Sequence, residues 1–140
     1  EEMKKKFDRF WMKMDIHRNN AFSSVAMEAA YREGEEWLEQ LLEYISGNFD
    51  FVKEYCDKYI PKIRPNVPDA TYLVWLDCRA LGMNNEELKD FMVNKAGLGL
   101  NEGWKFGRSL TGFMRLNVAC PRSVLEKALG QLRDAVNALK

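Results

Sequence analysis

Arg115 is the lone charged side chain in the middle of the apolar run Gly112-Phe-Met-Arg-Leu-Asn117-Val-Ala-Cys120-Pro121, which Arg122 follows. A guanidinium stays charged at any working pH and offers its donors as a planar fork, which matches the two oxygens of a carboxylate or phosphate. The other use of such a residue is an ion pair with a neighbouring Asp or Glu on a half-exposed sheet face. Spacing alone leaves both open. Little else in the chain suggests chemistry. His17 is the one histidine and has no partner nearby in sequence, so it does not read as a base. Cys56, Cys78 and Cys120 are odd in number, widely spaced and set in apolar patterns, which fits reduced, buried thiols and gives no zinc-ligand spacing. No Gly-rich phosphate cradle occurs, and Lys4-Lys5-Lys6 reads as an anion patch or as a solvated helix face.

The element that must carry Arg115 is a strand. Met114, Leu116, Val118 and Cys120 alternate with Phe113, Arg115, Asn117 and Ala119, so a period of two buries the first set and turns the second to the opposite face. Pro121 cannot continue a central strand, and Ser123-Val-Leu-Glu126 predicts a capping box for a last helix with a stripe running from Val124 to Leu139. Upstream, Tyr72 to Cys78 is a continuous apolar run that predicts a strand covered on both faces, with Trp75 in the core. Short extended pieces are expected near Ile63-Arg64 and over Leu98-Gly-Leu-Asn101. Asn84 is placed to cap a helix that runs to Ala96 and stops at Gly97.

The first part of the chain is helical in pattern. Met3, Phe7, Phe10, Trp11 and Met14 recur at steps of three and four, predicting an amphipathic helix over 2–15. Ser23 or Ser24 can cap the next helix, whose stripe runs from Ala26 to Ile60. Gly47-Asn48 reads as a turn between two helices or a kink within one. Ala26, Ala29, Ala30 and Gly34 make a narrow patch that either admits a close neighbour or reflects the helix propensity of Ala.

A length of 140 residues with 46% hydrophobic content suffices for one compact domain. The balance of 21 basic and 21 acidic residues gives no field that calls for nucleic acid or an anionic membrane as partner. No apolar run reaches the ~20 residues of a membrane helix, and the opening Glu-Glu-Met-Lys-Lys-Lys is unlike a signal peptide, so a cytoplasmic location is expected. The opening residues already lie inside a helical pattern, as in a piece of something longer.

Three segments carry a family resemblance: Arg115-Leu-Asn-Val-Ala-Cys-Pro-Arg-Ser-Val-Leu-Glu-Lys-Ala-Leu129, Asn20-Ala-Phe-Ser-Ser-Val-Ala-Met-Glu-Ala-Ala-Tyr31 with Gly34 and Trp37, and Thr71-Tyr-Leu-Val-Trp-Leu-Asp77. In order and spacing the chain resembles the C-terminal part of the cystathionine β-lyase-like C–S lyases, of the fold-type-I aminotransferase superfamily that uses pyridoxal phosphate. Gly103-Trp-Lys-Phe106-Gly107 fits a Gly-x-x-Phe-Gly element of that family, whereas Leu110 stands where a small residue is usual. The side chains of this loop either shape substrate choice or pack down onto the sheet.

The resemblance implies that Arg115 grips the α-carboxylate of an amino-acid substrate, with Asn117 and Arg122 as its supports. It implies residues 1–23 as the end of a large cofactor-binding domain and 24–140 as a small domain that includes an interdomain helix over 24–60. The expected fold class is α/β in two layers: a sheet of three or four strands with the long helix, the 84–96 helix and the last helix on one face. The family's cofactor-bonding lysine lies upstream of the matched region, and no lysine here has its neighbourhood. The parent protein is thus expected to be an enzyme, a C–S β-lyase or aminotransferase and a homodimer, and the chain by itself inactive, a poor binder of pyridoxal phosphate and prone to self-association. The competing readings are a stand-alone α/β interaction module, with Phe7, Phe10, Trp11 and Met14 as its surface, and a small binding domain for a free amino or keto acid at Arg115.

Overall fold

A computed structural model describes residues 1–15 and 20–139; His17 lies outside them. The chain divides into two compact units, Glu1–Leu41 and Leu42–Lys140.

The first unit is helical. Helix α1 (Glu2–Met14) follows the predicted amphipathic pattern, with Phe7 and Trp11 stacked at 5.9 Å on its apolar stripe. Helix α2 (Ala21–Glu33) is capped by Asn20, whose side chain accepts from the Phe22 N–H at 2.9 Å; the expected Ser caps are already inside the helix. The single helix expected over 24–60 is instead two, because the chain leaves helical geometry at Gly34 (φ −93°, ψ 3°) and resumes as α3 (Glu35–Tyr59). A Cβ at Gly34 would collide with the Ala30 carbonyl oxygen, so the close approach that allows the break is open only to glycine. Gly47-Asn48 sits inside α3 without a turn.

The second unit is a two-layer α/β arrangement, as expected. Strands β1 (Arg64–Asn66), β2 (Leu73–Asp77), β3 (Asn101–Glu102) and β4 (Phe113–Asn117) form an antiparallel sheet in the order β1-β2-β4-β3. Val74, Leu76, Met114 and Leu116 turn to one face and are buried there with Val52 and Cys56 of α3, Leu88 of α4 (Asn85–Asp90), and Leu125, Leu129 and Leu132 of α5 (Arg122–Asn137). Burying each such aliphatic side chain stabilises by about 1.5–3 kcal/mol relative to leaving it in water, which makes this face the core.

Asn84 caps α4 through a complete capping box with Glu87, and the helix ends through one wider turn over Phe91–Lys95, where the Ala96 N–H reaches the Phe91 carbonyl. Strand β3 is shorter than the extended piece expected from Leu98. Two further expectations fail. Strand β2 is fully buried on one face only, and Trp75 stands half-buried on the other, where its ring meets Phe106 edge to face. Helix α5 has no capping box at Ser123: the chain enters it at Pro121, and the Arg122 N–H donates to the Tyr44 hydroxyl at 2.8 Å, so a side chain of α3 takes the role.

Candidate functional site

The antiparallel register lines up Asn66, Trp75, Arg115 and Asn101 in one row across the four strands. The row lies on the face opposite Met114 and Leu116, where the alternation had put Arg115. The Arg115 Nη2 donates to Asn101 Oδ1 at 3.0 Å, and its guanidinium carbon lies 4.4 Å from the centre of the Phe106 ring. Phe106 meets Trp75 edge to face at 5.5 Å. The Arg115 Nε is closed off from solvent with no hydrogen-bond partner, and no carboxylate of the described residues pairs with the guanidinium.

That last fact sets Arg115 apart from a surface ion pair among the described residues. Arg79, in the short turn after β2, takes the ion-pair route: its Nε and Nη2 donate to Asp77 at 2.9 and 2.7 Å, and this hydrogen bonding holds the Asp77 carboxyl below the usual carboxylate range. Arg115 instead has a neutral amide on one nitrogen, an aromatic ring on one face, and donors left over. A fork so placed can receive an anionic group with two oxygens and gains little from staying empty.

The other two predicted site residues are elsewhere. Asn117 is exposed two positions along the same face of β4, and its Oδ1 accepts from the Ala119 N–H at 2.8 Å, which turns the chain out of the strand. Arg122 is committed to α3: its Nε donates to Asn48 Oδ1 at 2.8 Å and its guanidinium carbon lies 4.5 Å from the centre of the Phe51 ring. Among the described residues no hydrogen bond or ring contact joins either of them to Arg115. The turn at Asn117 and the bend at Pro121 separate what is adjacent in sequence.

The residue that sequence reasoning missed is Asn48. It is wholly buried, donates to the Val118 and Cys120 carbonyls at 2.8 and 3.1 Å, and accepts from Arg122. All of its capacity bar one lone pair is used, so it ties α3 to the end of the Arg115 strand and to the start of α5. Its polar character inside a helical stripe was the available signal, and it reads equally well as a turn.

The described lysines are all exposed, and no group of three or more His, Cys, Asp or Glu among the described residues could hold a metal ion. The thiols of Cys56 and Cys78 are buried, and burial pushes the Cys56 thiol up to about 12. Neither is a nucleophile at neutral pH.

No family model matches the chain. Cystathionine beta-lyase PatB of Bacillus subtilis is 38% identical over 118 residues, which are 84% of this chain and 30% of that protein. Protein MalY of Escherichia coli is 33% identical over 112 residues, 80% of this chain and 29% of that protein. Among solved structures, cystalysin from Treponema denticola, which contains pyridoxal 5'-phosphate, matches with a TM-score of 0.80 and 33% identity over 95% of this chain and 34% of its own. The pyridoxal-phosphate-bound C–S lyase from Staphylococcus hominis matches with a TM-score of 0.78 and 29% identity, over 94% of this chain and 35% of its own. The chain therefore spans about a third of the length of these relatives. It belongs to the cystathionine β-lyase-like proteins of the fold-type-I, pyridoxal-phosphate-dependent superfamily, and corresponds to their C-terminal part.

Proposed function

We propose that the protein to which this chain belongs is a pyridoxal-phosphate-dependent C–S β-lyase of the cystathionine β-lyase type, and that Arg115 receives the α-carboxylate of its amino-acid substrate. The observation that carries this is an arginine fixed on a strand, unpaired with any described acid, with its Nε shielded and unsatisfied. A carboxylate can take the Nη donors that Asn101 leaves unused, and the charge-assisted bonds hold the substrate's α-carbon in one place.

The described residues do not themselves fit pyridoxal phosphate. Their lysines are exposed, and they contain no Gly-rich phosphate loop. Glu102, the one buried acid among them, is engaged by Lys105 at 2.6 Å, which lowers its pKa. On this reading residues 1–23 end a large cofactor-binding domain, residues 24–140 form the small domain, and the complete protein is a cytoplasmic homodimer. Orienting a substrate without an electron sink gives no elimination, so the 140-residue chain alone is inactive.

The test is an assay of the complete protein for release of pyruvate and ammonia from cystathionine or cystine, with and without Arg115→Ala. Release that falls steeply in the variant supports the proposal. Keto-acid-dependent amino transfer without release would assign an aminotransferase, and release unchanged by Arg115→Ala would remove Arg115 from the site.

A further inference from the structure

Phe106 is a large apolar side chain left 51% exposed on a loop, where core packing does not require it. Its surroundings give it another use. The ring covers one face of the Arg115 guanidinium at 4.4 Å, and the Trp75 indole, directly across the strands from Arg115, meets that ring edge to face at 5.5 Å. Asn101, on the other neighbouring strand, takes one guanidinium nitrogen at 3.0 Å. The fork is therefore held in its plane by an amide and from one face by a ring, while the Nη donors that Asn101 leaves unused remain for a ligand.

The loop carrying Phe106 is itself pinned. A Cβ at Gly103 would meet the Leu110 carbonyl oxygen and would stand 2.7 Å from the Phe113 carbonyl oxygen, so the loop backbone lies directly against the start of β4. Glu102, at the root of the loop, is buried and bonded to Lys105 at 2.6 Å, with Lys89 at 3.9 Å. A ring on a pinned loop is a fixed wall, and a fixed wall restricts the rotamers of an arginine that would otherwise wander at a half-exposed position.

We infer that Phe106 is a positioning residue for the carboxylate-binding fork: it stacks on Arg115, is braced by Trp75, and sets the plane in which the substrate carboxylate is received. The inference rests on the Arg115 reading above. It separates Phe106 from a residue that merely lines the substrate's side-chain pocket, because a positioning role acts only on ligands that carry the carboxylate.

The experiment uses the complete, coenzyme-loaded protein and two probes that differ only in that group, L-methionine and its decarboxylated amine, with dissociation constants read by calorimetry. Phe106→Leu should weaken binding of the amino acid roughly twofold to fivefold, the span a cation–π contact at this exposure supports, and leave the amine unchanged. Phe106→Tyr should restore the wild-type ratio. Trp75→Leu should shift the ratio the same way by a smaller factor, and provides an independent route if the first variant folds poorly. Equal weakening of both probes, or no change in either, overturns the inference. Arg115→Ala distinguishes the two levels: if it abolishes the preference for the amino acid while Phe106→Leu does not alter it, the positioning role alone falls; if Arg115→Ala leaves the preference intact, the carboxylate reading falls with it.

Discussion

At the scale of single residues, Arg115 and Arg122 have the same side chain, lie seven positions apart, and do different work. Arg122 is satisfied inside the protein by Asn48 and Phe51. Arg115 keeps donors in reserve. Arg115→Ala in the complete protein should therefore weaken amino-acid binding by on the order of a hundredfold, since hydrogen bonds to charged groups contribute about 1.5–3 kcal/mol each; a substrate titration checks this. Arg115→Lys keeps the charge but loses the planar fork, and should recover only part of that loss.

Asn48 makes the opposite prediction. Its removal leaves the Val118 and Cys120 carbonyls and the Arg122 Nε without their buried partner. Asn48→Ala should destabilise the fold by about 3 kcal/mol, read as a lower urea midpoint. A change below about 1 kcal/mol would show that water replaces the amide freely.

At the scale of elements, the strand that presents Arg115 was legible because one charged residue interrupts a period of two, and the two faces of β4 follow that period. Trp75 was not, since Leu73-Val-Trp-Leu reads as apolar throughout and only the helix layer decides which side is covered. The Asn48 network was invisible for another reason: its partners lie 70, 72 and 74 positions away, and periodicity carries no information at that range. The break at Gly34 was hidden by a helical stripe that continues across it. The loop carrying Phe106 could be read only as a Gly-x-x-Phe-Gly word, and its closeness to β4 makes a further prediction. Gly103→Ala forces the new methyl into the Leu110 and Phe113 carbonyls, and should cost about 1–3 kcal/mol in thermal or chemical unfolding as the loop is pushed off the sheet.

At the scale of the whole molecule, the buried thiols make stability fall at alkaline pH. Cys56 is raised from an ordinary value of 9.0 to about 12, by burial first and then by Asp57, and Cys78 is also raised, by burial and then by Asp77. Below pH 9.0 these thiols are neutral folded or unfolded, and their burial is uncompromised. As pH rises from 9.0 toward 12 the unfolded chain ionises its thiols while the fold keeps them neutral, so stability is lost across that window. The slope should approach about 1.4 kcal/mol per pH unit for each thiol, and Cys56→Ala should flatten it despite being less stable at neutral pH. Urea midpoints between pH 8 and 11 check the sign, and a slope unaffected by the variant would count against it.

Exposed apolar residues give the remaining whole-molecule prediction. Met3, Phe7, Phe10 and Met14 are 84%, 61%, 60% and 57% exposed on one stripe of α1. A chain of this length prepared alone should self-associate through such a surface, and Phe7→Glu with Trp11→Glu should return it to a monomer in sedimentation velocity.

The measurement closest to the central claim is a crystal structure of the complete, coenzyme-loaded protein with an unreactive substrate analogue that retains its α-carboxylate. The account predicts both carboxylate oxygens on the Arg115 guanidinium at about 2.7–2.9 Å, with Phe106 still stacked on its face. A carboxylate held by other groups, with Arg115 left on Asn101 alone, would contradict it.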